Sequence, residues 1–135
     1  MLLDDIGSVL SAGGIGTLGT NLFLGFLPDK PDTCVAVIET GGITPHRAFR
    51  ASAGQPVAER PSIQILCRAA AFDYATARNK AHDAYKLLEG YGDTTVNSTR
   101  YLWIGARQSP FSAGRDESNR PICSCNYEVV KELTA

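Results

Sequence analysis

Cys123 and Cys125 stand two residues apart in Arg120-Pro-Ile-Cys-Ser-Cys-Asn-Tyr127, a spacing that raises metal binding and thiol redox chemistry at once. A structural zinc site wants thiols on a knuckle plus a second pair, or histidines, at similar spacing. Cys34 and Cys67 are isolated and His46 and His82 lie far apart, so the sequence offers no second half for such a site. Read with a period of two, Cys123, Cys125, Tyr127 and Val129 share one strand face, and Ile122, Ser124, Asn126, Glu128 and Val130 share the other. The second face is the more polar. Both cysteines therefore turn toward a core, where a free thiol behaves as a small hydrophobe. The rival reading, a metal module, predicts stoichiometric zinc and unfolding by chelators.

Gly14-Ile-Gly-Thr-Leu-Gly19 matches G-x-G-x-x-G, and Glu39 falls at the distance where a dinucleotide site places its acidic residue. That motif needs a strand before the glycines and a helix after them. Here a helical run precedes and a strand-like run follows, so the segment reads as a link. His82 sits on a helix away from its apolar stripe, with Asp83 turned about 100° from it, which is the setting of a solvated histidine. Ser62 or Cys67 with His46 lacks the glycine pattern of a nucleophile elbow. No trio of nucleophile, base and orienting group can be named, so the expectation is a protein with no catalytic residues, metal or cofactor.

The elements that hold these residues follow from periodicity. Leu2, Leu3, Ile6, Val9 and Leu10 recur at helical spacing, Asp4 and Asp5 suit the helix N-terminus, and Gly13-Gly14 ends the run. Asn21–Leu27 and Thr33–Thr40 flank the turn Pro28-Asp-Lys-Pro-Asp32 and predict a hairpin. Residues 41–60, rich in glycine and proline, read as a long loop. Pro61 opens a strand in which Ile63, Ile65 and Cys67 alternate with Gln64, Leu66 and Arg68. Asp73 caps a helix whose face is Tyr74, Ala77, Ala81, Ala84, Tyr85 and Leu88, and Gly90 stops it. A strand over Thr99–Arg107, a polar loop at 108–120 and the cysteine strand complete the chain. The order α-β-β-β-α-β-β predicts a single α+β domain over 1–135, with a mostly antiparallel sheet of about five strands and two helices on one face.

Charge narrows the classes further. The chain carries 13 Lys+Arg against 14 Asp+Glu, a net −1, which argues against a nucleic-acid coat or a polybasic membrane anchor. Its longest apolar run, Leu22–Leu27, is far short of the roughly 20 residues that span a bilayer. A soluble protein of a reducing compartment is expected, in which the Asn97-Ser-Thr99 triplet goes unglycosylated. Within 41–60, Arg47, Arg50 and Arg60 stand against Glu59, a local +2 that suits an acidic neighbour or a phosphate backbone. A solvated tether with incidental arginines is the alternative.

Several segments taken in order carry a likeness: Leu18-Gly-Thr-Asn-Leu-Phe23, Glu39-Thr-Gly-Gly42, Glu59-Arg-Pro-Ser-Ile-Gln64, the tyrosine-and-alanine helix 74–88, and Gly114–Tyr127. Together they resemble the minor capsid and tail-terminator proteins of long-tailed bacteriophages. The resemblance implies an α+β subunit of a hexameric ring that caps the tail tube, stops its polymerisation and receives the head. It implies a place in the virion, at the head-proximal end of the tail, after assembly in the bacterial cytoplasm. The expected partners are further copies of the chain, the tail tube protein and the head-tail connector protein, with DNA passing through the lumen and no membrane. For the contacts this ring requires, the expected residues are Glu59, Arg60, Arg68, Asp116 and Glu117 between neighbouring subunits, with Arg47 and Arg50 facing tube or lumen. A neighbouring head-completion ring, and a small-molecule-binding domain or enzyme, are the competing readings.

Overall fold

The computed structural model describes residues 1–46 and 58–132, the side chains of 44–46 excepted. Two helices and seven strands follow in the order α1 (Leu2–Ala12), β1 (Leu22–Leu24), β2 (Cys34–His46), β3 (Ala58–Arg68), α2 (Tyr74–Leu88), β4 (Thr94–Val96), β5 (Thr99–Ala106), β6 (Phe111–Arg115) and β7 (Pro121–Glu132). The strands form one sheet in the order β1-β2-β3-β7-β5-β4, with β6 beside the first half of β7. The α+β class matches the expectation, but the strand count and order do not.

Three differences have local causes. The stretches flanking Pro28–Asp32 make no hairpin, because β1 pairs parallel with β2, Leu22 beside Val35 and Leu24 beside Val37. Parallel pairing needs a crossover, and residues 25–33 supply it. Second, β4 and β5 form a hairpin around Asn97-Ser98, both at positive φ (48° and 69°). Asn at such a turn is a signal that Ser beside it, in place of Gly, makes weak. Third, both expected loops contain strand. Residues 41–46 prolong β2, 58–60 begin β3, and β6 forms inside 108–120, while 47–57 lie outside the described residues.

Alternation sets the core. Val35, Cys67 and Cys123 lie side by side across β2, β3 and β7, as do Val37, Ile65 and Cys125, then Ile63 and Tyr127. All belong to one buried cluster with Leu2, Ile6, Val9 and Leu10 of α1 and Ala77, Ala81, Ala84 and Leu88 of α2. Both helices thus cover the same sheet face. Each fully buried leucine or isoleucine contributes about 1.5–3 kcal/mol relative to exposure. The alanine stripe of α2 allows close approach to β3, β5 and β7. Its N-terminus is capped as expected, with Asp73 accepting from the Thr76 N–H at 3.3 Å and the Thr76 hydroxyl at 2.7 Å.

Helix α1 touches β1 and β2 at one end of the sheet and β4 at the other. The sheet curls far enough for one helix to bridge its two ends. Gly7 makes the near contact possible: a Cβ there would lie 2.9 Å from Leu24 Cδ2. At the far end Asp5, 1% exposed, accepts from Asn97 Nδ2 at 2.9 Å and from the Tyr101 hydroxyl. Burial, then the Asp5 contact, pushes the Tyr101 hydroxyl well above its usual titration range, so Tyr101 remains a donor. Among the described residues no helix is long and apolar enough to cross a membrane.

Candidate assembly interface

The charged residues fall into two groups at opposite ends of β3. Arg60 and Arg68 are eight residues apart, roughly 26 Å at about 3.3 Å per residue. At the first end Glu59 pairs with Lys131 at 3.6 Å across the β3–β7 ladder. Arg60, half-buried and engaged within the chain, sits beside it, opposite Ile43 of β2.

At the second end two arginines hold the crossover. Arg68 is 3% exposed, and its guanidinium donates to the carbonyls of Asp29 (3.2 Å), Pro31 (2.7 Å) and Asp32 (3.0 Å). Arg120 is nearly as buried. It donates from Nε to Asp116 Oδ2 at 2.7 Å, from Nη2 to Asp29 Oδ1 at 3.0 Å, and from Nη1 to Asp32 Oδ1 at 3.1 Å and the Asp29 carbonyl. Asp116 also accepts from the N–H groups of Ser118 and Arg120, which folds the β6–β7 turn around its carboxylate. The N–H of Arg120 holds the Asp116 carboxyl below its usual range, and Lys30, then Arg120, does the same for Asp32.

The residues expected at the interface therefore differ in what they have left to offer. Arg68 and Asp116 are committed inside the chain, Glu59 is partly committed, and Glu117 is exposed at the tip of the β6–β7 turn. Arg47 and Arg50 lie outside the described residues. Sequence reasoning passed over Arg120. Its only signal was the four-residue spacing from Asp116 in a loop, with Asp29 and Asp32 far away in sequence.

All four cysteines are buried and unpaired, and burial raises each thiol above its usual range. Cys123 and Cys125 occupy the core face that strand alternation predicted. His82 is exposed and stacks on Tyr85, ring centroids 6.1 Å apart.

Phe72, 73% exposed with φ 62°, stands on the β3–α2 connection and is held by its N–H to the Asn119 carbonyl at 3.0 Å. A bulky residue in the left-handed region is strained. Over its ring lies the Arg115 guanidinium, 6.0 Å from the centroid, and Tyr74, Ser112, Gly114 and Pro121 complete an open groove beside β6.

Fold and site together describe an α+β building block whose inner charges tie its loops to the sheet and whose unspent groups lie on strand edges and turns. A profile of the bacteriophage tail terminator proteins matches residues 9–133, and the chain belongs to that family. It is a structural protein of the phage tail. Its fold is similar to that of a chain in the virion of a native gene transfer agent particle, with a TM-score of 0.70, 16% identity, and coverage of 98% of this chain and 95% of that one. No curated protein matches it.

Proposed function

We propose that the protein caps the phage tail tube at its head-proximal end, stops tube polymerisation and offers the surface on which the head is joined, working as a ring of copies, six in number. The observation that carries this reading is membership of the tail terminator family over nearly the whole chain. The role is one of shape and contact, without catalysis. A capping ring must present one face to the last tube ring and another to the connector, so its subunits meet through unlike surfaces that close by rotation. Glu59, Arg60 and Glu117 supply charges for register between neighbours. Arg68 and Asp116 act indirectly, by fixing the shape of the crossover and the β6–β7 turn. Arg47 and Arg50 face the tube or the DNA in the lumen, and assembly takes place in the bacterial cytoplasm.

Tails made in the absence of this protein test the reading by negative-stain microscopy. Overlong tubes without heads are expected. Tubes of normal length carrying heads overturn it, and tubes of normal length without heads assign the protein to head completion instead.

A further inference from the structure

Besides the outer edges of the three-residue strands β1 and β4, two longer strand edges of this sheet lack a neighbour among the described residues. β1 covers the outer edge of β2 only at Val35–Val37, which leaves Ile38–Ile43 open, with Glu39 through Ile43 exposed. On the other flank β6 pairs with β7 alone, and all five of its residues are exposed. Open edges present rows of unpaired N–H and C=O groups and serve as templates for another strand.

The two edges match in detail. On β2, Glu39 and Ile43 are four residues apart, with a one-residue bulge between Thr40 and Ile43 at Gly41-Gly42. On β6, Phe111 and Arg115 are also four apart, with a bulge between Ser112 and Arg115 at Ala113-Gly114, where Gly114 has φ 97°. Each bulge moves the later residue to the other face. Glu39 lies opposite Ile63 and Arg115 opposite Pro121, both on the helix-covered face, whereas Ile43 lies opposite Arg60 and Phe111 opposite Ser124, on the uncovered face.

Charge is complementary as well. Among the described residues Glu39 makes no ion pair, and the Arg115 guanidinium meets only the Phe72 ring, which positions it over the groove. Ile43 is 44% exposed and Phe111 37%.

We propose that copies of this chain join edge to edge, the Glu39–Ile43 edge of β2 in one copy running antiparallel beside β6 of the next, with Glu39 opposite Arg115 and Ile43 opposite Phe111. The occupant of the β6 edge is a second copy, and the pairing rests on the ring reading given above. Because the two edges lie on opposite flanks, each join leaves one of each open for a further copy. That is the head-to-tail contact from which a ring closes.

Tails assembled with the double variant Glu39→Cys/Arg115→Cys, oxidised and run without reductant, test the contact. The native thiols are buried, so the new ones react alone. A ladder of multimers of this chain is expected, with monomer only from either single variant. Monomer alone from the double variant in tails that contain it overturns the pairing, as does a cross-link to a different protein. Charge exchange gives a second reading: Glu39→Arg and Arg115→Glu each lose incorporation into tails, and the two together regain it. Undiminished incorporation of both single variants also overturns the pairing. A missing ladder where tails without the protein are overlong removes this contact alone, whereas normal headed tails in its absence remove the ring reading itself.

Discussion

Tyr127 is the residue at which the core is least satisfied. Its hydroxyl is buried beside the Cys125 thiol and finds no hydrogen-bond partner among the described residues. A buried hydroxyl left unpaired costs about 1–3 kcal/mol. Tyr127→Phe is accordingly expected to raise stability by about 1 kcal/mol, read as a higher midpoint in urea with an unchanged slope. At this scale the sequence was legible where alternation alone decides. The facing of Cys123, Cys125 and Tyr127 follows from a period of two. The roles of Arg68 and Arg120 were not legible, because, apart from Asp116 four residues before Arg120, their acceptors are carbonyls and carboxylates of residues 29–32, about 40 and 90 positions away in the chain, and no local pattern encodes such contacts.

At the scale of elements, the crossover between β1 and β2 is tied to the sheet by the guanidinium groups of Arg68 and Arg120. Its Asp32, and Asp116 across from it, have carboxyl pKa values below the ordinary 3.8. A carboxyl lowered on folding stabilises the fold at every pH above 3.8, and that contribution is lost as the pH falls below 3.8 through the lower folded value. The protection of residues 25–33 against hydrogen exchange, taken relative to the intrinsic rate at each pH, is thus expected to stay flat from neutral pH to about 4 and to fall below it. In Arg120→Ala the same segment exchanges faster at neutral pH and depends less on acid. Equal exchange in both proteins removes this account of the crossover. Helix α2 was the element most plainly written in the sequence, since cap, alanine stripe and stop all agree, with Tyr74 alone of the expected stripe lying exposed. The parallel β1 was hidden, because a proline-and-aspartate segment between two apolar runs is the ordinary mark of a hairpin, and only the distant arginines make it a crossover.

On the scale of the whole molecule, α1 is the piece that holds the curled sheet together, fastened to β1 through Gly7 and to the β4–β5 hairpin through Asp5. Tyr101→Phe removes a donor from a buried carboxylate and is expected to cost about 2 kcal/mol. The loss should appear in both α1 and β4 by hydrogen exchange, although Asp5 and Asn97, which link them, are 92 positions apart. Loosening confined to β5 contradicts a bridging role for the helix. The α+β class was readable from the succession of patterns, but the curl was not, since it depends on how strand twist accumulates across the sheet.

The position of β7 has a consequence for how the protein is made. It lies at the middle of the sheet, with β3 on one side and β5 and β6 on the other, yet it follows every other described element in the chain. During translation the earlier strands emerge as β1-β2-β3, the β4–β5 hairpin and β6, with no strand between them and only the two helices touching both sides. A polypeptide broken off before residue 121 lacks the one strand to which β3, β5 and β6 are all hydrogen-bonded, so the whole sheet waits on the last stretch of chain to be made.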